Sequence, residues 1–447
     1  MSHTSRLIQA IFGALLVYLL TGYLLPDQQQ LLLSIITLLV ILWTNEALPL
    51  GVVSLLPIVI FPSFGILSTN DISAVYSKPI IFLFLGGFLI GLAVEKLNLH
   101  RAVISRMFSI FPYTPRGIIL SLTSTSAVLS SILSNTTTSL LLMPLALAIS
   151  SSNKLKMRFV LAIAYGATVG GILTPVGTPP NLIFLGFLED NSLQAIPFIK
   201  WVILCLPLVL VMLITLTVLL GVGLKNTKLD QALTKPRALS LEQKKLSFIL
   251  IFLGIVLLLN SPIKPYYSGL GLNEKLLLLS FGLLMFMPGV NFLTWEDTRK
   301  IPYEILFLFG AGFGIAAAVQ NTGLDNTIAQ YLLVFSDWPA WLLILCIAGM
   351  VTFSTEITSN MALTTVAIPI IFSLCQMTGL NPYLYMMVAT ICASYAFMLP
   401  IATAPNAIAM ASGAVRVREM ARYGFVLNII AILVTAIVAN TFWTIFL

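Results

Sequence analysis

The sequence predicts an all-α polytopic membrane protein made of two inverted-topology repeats, with about eleven transmembrane helices and two re-entrant hairpins. Three observations carry that prediction. The 447 residues are 59% hydrophobic and 9% charged, with a mean hydropathy of +1.02, a composition that excludes an ordinary soluble protein. Polar motifs recur at a fixed offset, Ser134-Asn135 and Pro180-Asn181 returning 225 positions later as Ser359-Asn360 and Pro405-Asn406, with the asparagines 46 positions apart in both copies. The basic residues cluster in short loops between apolar runs, which orients a chain in a bilayer and accounts for the net charge of +7 without a nucleic acid partner.

The elements follow in order. A bilayer core of about 30 Å takes about 20 apolar residues per helix, which places spans near 7–25, 29–44, 47–66 and 79–95. The first lacks a small-residue cleavage site and reads as a retained helix rather than a signal peptide. Glu46 reads as a helix-start carboxylate at a membrane surface. An amphipathic run with Lys96, Arg101, Arg106 and Arg116 around it predicts a surface helix at about 100–112. Residues 117–152 have basic loops on both sides, so they enter and leave the membrane on one face as a re-entrant hairpin, with Ser134-Asn135-Thr136 near its tip. Gly170-Gly171, Pro175, Gly177 and Pro179-Pro180 interrupt 159–188, which reads as two half-helices with an unwound middle. A span at 198–221 closes the first repeat, 1–224. The linker 225–245 carries six basic residues and is expected in the cytoplasm. The second repeat, 246–447, has spans near 246–261, 274–291 and 302–319, a hairpin at 339–376, a broken helix at 383–411 and a last helix at 422–446.

The repeat and the topology can both be checked by counting. Residues 82–99 and 307–324 match at nine of eighteen positions in one register, and Pro144 pairs with Pro369. With a cytoplasmic N-terminus and an external C-terminus, 19 of the 23 basic residues lie inside, and only Lys78, Lys200, Lys264 and Lys275 lie outside. The predicted location is the cytoplasmic (inner) membrane, crossed many times. An odd number of spans turns the second repeat over, so the hairpins enter from opposite faces and meet near mid-depth.

The chemistry of the motifs points to ions. Asn, Ser and Thr offer neutral oxygens to a hard monovalent cation, and hydroxyl and amide N–H groups donate to carboxylate or sulfate oxygens. Neither motif contains Lys or Arg, so an anion bound there needs cations beside it, a physical reason for coupled transport. Two histidines (His3, His100) and four scattered cysteines support no zinc, haem or disulfide framework, and no nucleophile–base constellation marks an enzyme. Glu356, one turn before Asn360, reads as a structural partner rather than a proton carrier. Glu95 reads as an interfacial charge. Thr123, Ser124, Thr125 and Ser126 read as helix-packing hydroxyls. Trp43, Trp201, Trp295, Trp338 and Trp341 are expected in interfacial belts.

With these residues in view, the chain resembles the divalent anion:sodium symporter family, bacterial relatives of the sodium/dicarboxylate, citrate and sulfate carriers. The resemblance runs through Asn45-Glu46-Ala47-Leu48-Pro49-Leu50, Phe84-Leu85-Gly86-Gly87-Phe88, the paired Ser-Asn motifs and Ala396-Phe397-Met398-Leu399-Pro400-Ile401-Ala402-Thr403. It implies a homodimer whose transport domains move as elevators. It implies one sodium site at Ser130, Ser134, Asn135 and Gly177, and a second at Thr355, Thr358, Asn360 and Ala402. The substrate is implied at Asn135, Thr136, Thr178, Ser359, Asn360 and Thr403. Met361 stands where many members have Thr, and Ala404 where many have Pro. The implied function is uptake of a small divalent anion, a C4-dicarboxylate such as succinate, malate or fumarate, with sodium and no organic cofactor. A sodium-independent dicarboxylate exchanger or a sodium/sulfate cotransporter is the alternative.

Overall fold

A computed structural model describes residues 3–45, 47–224, 238–262, 266–335 and 337–447. Glu46 and most of the linker expected at 225–245 lie outside the described residues. Every regular element among those described is helical. In order they are α1 (His3–Thr21), α2 (Asp27–Asn45), α3 (Leu50–Ser63), α4 (Thr69–Val75), α5 (Pro79–Lys96), α6 (Leu99–Ile110), α7 (Pro115–Ser130), α8 (Asn135–Ala148), α9 (Asn153–Gly171), α10 (Pro179–Asp190) and α11 (Phe198–Gly221). Then follow α12 (Leu241–Asn260), α13 (Glu274–Leu284), α14 (Tyr303–Thr322), α15 (Leu324–Leu332), α16 (Ala340–Ser354), α17 (Asn360–Thr378), α18 (Pro382–Ala393), α19 (Ala404–Ala411) and α20 (Val417–Val438). Among the described residues seven helical stretches are long and apolar enough to cross a membrane, and Leu50–Ser63, Ala340–Ser354 and Pro382–Ala393 are shorter apolar helices.

Local chemistry sets the boundaries. Proline occupies the first turn of α5, α7, α10, α18 and α19, where its missing N–H costs nothing and its fixed φ suits a helix start. Thr114 caps α7 by accepting from the Gly117 N–H at 3.1 Å. Between α7 and α8 only residues 131–134 are non-helical; between α16 and α17, 355–359. The interruptions between α9 and α10, and between α18 and α19, cover 172–178 and 394–403.

Packing sorts the helices by depth. From Phe159 to Gly171 every residue of α9 is buried, as is every residue of α10 from Pro180 to Leu188 and of α18 from Leu384 to Ala393. In contrast α1 exposes Ile8, Ile11, Phe12, Leu19 and Leu20, a face that suits lipid. α5 and α13 cross at van der Waals distance because both contribute glycine: a Cβ on Gly282 would sit 2.8 Å from the Gly86 Cα. The tryptophan belt needs correction. Trp43 and Trp201 are buried in protein, and Trp201 donates its indole N–H to the Ile172 carbonyl at 3.0 Å, securing the start of the first interruption. An indole can be placed by hydrogen bonding as well as by the bilayer surface, and the sequence does not distinguish the two.

Candidate functional site

Four helix N-termini meet at one cavity. The N-cap residues of α8, α10, α17 and α19 are Ser134, Thr178, Ser359 and Thr403, all with extended backbone, and all four line it. The cavity holds about 730 Å³, within the usual range for a small-molecule site. Asn135, Thr136, Gly177, Thr358, Asn360 and Ala402 line it as well, so it gathers the polar motifs of both halves of the chain. Among its described lining residues none is Lys or Arg; His3 and Glu304 are the titratable ones. Met361 is there too and is buried.

Ser130 and Thr355 lie behind that surface. Both are fully buried, and each hydroxyl donates to the side-chain oxygen of the next asparagine, Ser130 to Asn135 Oδ1 and Thr355 to Asn360 Oδ1, the latter at 2.5 Å. Thr355 also reaches the Ala393 carbonyl at 2.8 Å. The asparagines are thereby fixed from the rear with their amides at the cavity. Gly171 permits this on one side: a Cβ there would fall 2.7 Å from Asn135 Oδ1. Thr358 bonds the Ser354 carbonyl at 2.8 Å, and Ser134 accepts from the Thr137 N–H at 3.1 Å as an N-cap.

Two further asparagines, prominent in the sequence but given no role there, hold the interruptions together. Asn181 Nδ2 donates to the carbonyls of Gly171 (3.3 Å) and Thr174 (2.8 Å). Asn406 Nδ2 donates to those of Ala396 (2.9 Å) and Leu399 (3.1 Å), the same positions shifted by 225. These carbonyls lie at or beyond the ends of their helices, those of Thr174 and Leu399 also accept from the Gly177 and Ala402 N–H groups at 3.2 Å, and the amides add donors from inside a fully buried site. Neither amide oxygen, Asn181 Oδ1 or Asn406 Oδ1, has a hydrogen-bond partner among the described residues.

Glu356 takes the opposite task. Its buried carboxylate accepts from the N–H groups of Phe397 (2.7 Å), Met398 (2.8 Å) and Leu399 (3.0 Å), and from Asn428 Nδ2 of α20 (2.7 Å). The geometry is that of a structural partner for an unwound segment. Glu356 is adjacent in sequence to Thr355, but no local signal points to 397–399 or to Asn428, which lie more than forty residues away.

Comparison with known proteins supplies the wider setting. The family model described as citrate transporter (CitMHS) matches residues 38–374. The chain belongs to this family. Among relatives at moderate identity, the sodium-dependent dicarboxylate transporter SdcS of Staphylococcus saprophyticus is 30% identical over 98% of this chain and 91% of its own length. The protein of the same name from Staphylococcus aureus (strain MRSA252) is 30% identical over 97% of this chain and 91% of its own. Two solved structures share the fold at low identity. The Alcanivorax borkumensis YdaH transporter has a TM-score of 0.64 at 14% identity, covering 94% of this chain and 99% of that one. Neisseria gonorrhoeae MtrF has a TM-score of 0.61 at 13% identity, covering 95% and 96%. The family and its relatives make the chain a multi-pass membrane transporter and not an enzyme.

Proposed function

We propose that the chain is a sodium-coupled carrier of a small divalent anion, with a C4-dicarboxylate such as succinate, malate or fumarate as substrate. The observation that carries the reading is the meeting of four helix N-termini at a cavity whose described lining has no Lys or Arg. Each N-terminus acts as about half a positive charge, so four amount to about two, spread around the rim, a match in sign and size for a dianion. Hydroxyls and amides at Ser134, Asn135, Thr136, Thr178, Ser359, Asn360 and Thr403 then serve as donors to its oxygens. The unwound segments offer the complement. Their carbonyls, with Asn135 and Asn360, suit hard monovalent cations beside the anion, in two sets: Ser130, Ser134, Asn135 and Gly177, and Thr355, Thr358, Asn360 and Ala402. The names of the staphylococcal relatives support both sodium and dicarboxylate.

The two halves act as inverted repeats, 1–224 and 246–447, whose hairpins (117–152 and 339–376) and broken helices form a transport domain that moves as an elevator within a homodimer. Helix starts at Pro115, Asn135, Pro179 and their counterparts Ala340, Asn360 and Ala404, each 225 residues on, support the repeat. The chain sits in the cytoplasmic membrane with its N-terminus inside, and the cavity then faces the cytoplasm, since its exposed lining residues His3 and Glu304 belong to segments expected on that side. Uptake of labelled succinate into proteoliposomes, with sodium or with choline outside, tests the reading. Uptake indifferent to the exchange of sodium for choline refutes the coupling, and uptake of citrate or sulfate but not succinate refutes the substrate class.

A further inference from the structure

The end of the molecule remote from the cavity mouth is held by charge. α10 starts at the cavity, with Thr178 as its N-cap, and ends about 18 Å away, at the helical rise per residue, in Glu189 and Asp190. There Asp190 pairs with Lys78 at 2.5 Å and Glu189 pairs with Lys275. Lys78 is the N-cap of α5 and Lys275 lies in the first turn of α13. The Lys78 ammonium also lies 4.7 Å from the Phe313 ring centroid, on α14. One residue past α10, Asn191 accepts from Gln320 Nε2 at 2.9 Å, near the far end of α14, whose first turn is at the cavity mouth.

Helix electrostatics make this cluster unusual. Two acids in the last turn of α10 face the negative end of their own helix, and a lysine at the N-cap of α5 faces the positive end of its own. Each charge is disfavoured by the helix that carries it and favoured by the other. The partners also belong to separate bodies: α5 and α13 are locked together through Gly86 and Gly282, whereas α10 is continuous with the binding motif at Thr178. Two further ion pairs, Lys96 with Asp297 and Lys300 with Glu95, link the C-terminal end of α5 to the turn before α14.

We propose that Glu189 and Asp190, with Lys78 and Lys275, form a charge latch that seals the face opposite the cavity and has to part before the site can open there. The proposal rests on the carrier reading, because only a site that changes sides has use for a latch between a moving helix and a fixed pair. Parting exposes all four side chains to water, which hydrates them and screens them from the dipoles that oppose them, so the latch releases at modest cost.

Amide hydrogen exchange on the full-length protein in nanodiscs tests it without requiring transport. Asp190→Asn and Lys78→Gln are each expected to raise exchange across 186–197 about tenfold, with the segment opening locally and not the whole fold. The charge swap Lys78→Glu with Asp190→Lys is expected to bring exchange back to within about threefold of wild type, since a pair in contact is non-additive. Exchange across 135–148 serves as control and stays unchanged. Wild-type exchange in both single variants, or a swap no better than the singles, overturns the latch. A rise that spreads equally to 135–148 also overturns it, as general destabilisation. Sodium-dependent uptake by the same preparations is scored separately: if uptake fails while the swap restores protection, the carrier reading falls and the contact stands, and if uptake holds with unchanged exchange, the latch alone falls.

Discussion

Replacing Glu356 by Gln separates a structural carboxylate from a proton carrier. Both oxygens of Glu356 accept: Oε1 from Phe397 N, Met398 N and Asn428 Nδ2, and Oε2 from Leu399 N. Glutamine keeps one carbonyl for the first three and turns an NH₂ toward the Leu399 N–H. A hydrogen bond to a charged group is worth about 1.5–3 kcal/mol and a neutral one about 0.5–1.5, so three downgraded bonds lose about 3 kcal/mol, and the orphaned Leu399 N–H adds about 1–3. The expected loss of about 4–6 kcal/mol falls on 394–403, the segment that ends at Thr403 in the cavity. Thermal unfolding of the purified variant, followed with and without sodium, should show a lower midpoint and a smaller upward shift on adding sodium. Glu356→Ala should be at least as severe. A Gln variant with the wild-type midpoint and sodium response, but with altered pH dependence of uptake, would refute the structural role and restore the proton carrier.

Three other outcomes are expected. Asn135→Ala and Asn360→Ala should each reduce uptake to background while keeping the wild-type elution profile on size exclusion; unimpaired uptake in both removes these residues from the site. Gly171→Ala puts a methyl group 2.7 Å from Asn135 Oδ1, and should raise the sodium concentration for half-maximal uptake by about tenfold or more, about 1.4 kcal/mol, with maximal rate less affected. Asp297, bonded to Lys96 and to the Thr294 N–H, is held at a pKa of about 2. A depressed carboxylate stabilises above its unfolded pKa and loses that contribution as pH falls through the folded one, so the stability gap between wild type and Asp297→Asn should be present at pH 7 and shrink as pH falls from about 4 toward 2. A gap that widens in acid contradicts this assignment.

Where helix rules are broken, the sequence was easily read. Proline and glycine between 170 and 180 bracket the stretch that the structure leaves non-helical, 172–178, because a missing N–H and a missing Cβ act locally. The fixed offset of 225 likewise drew attention to Ser134, Asn135, Ser359 and Asn360 without any knowledge of contacts. What stayed hidden depends on distance. Ser130 and Thr355 are at the second rank of the cavity, a distinction made only by tertiary burial. Trp201 looked interfacial because its sequence context is apolar whether lipid or protein surrounds it. The pairing of Lys78 with Asp190 spans 112 positions, and a charged residue at a helix end carries no mark of its partner.

The two interruptions are also not equally built, and the difference bears on coupling. In the first half Thr174 Oγ1 reaches back to the Ser131 carbonyl at 2.6 Å, and Trp201 of α11 holds the Ile172 carbonyl. In the second half the residue that corresponds to Ser131 is Glu356, and it gathers three N–H groups and Asn428 of α20. Both arrangements tie the break to the last long helix of its own half, but one fastens carbonyls with neutral donors and the other fastens N–H groups with an acid. Charge-assisted bonds are about twice as strong as neutral ones, so residues 397–399 of the second segment are the more strongly tied. The cost of ordering a loop around an ion falls on whichever loop is looser. On the carrier reading proposed above, a cation held by the first half meets the less strongly tied break, and its binding should carry the larger conformational change.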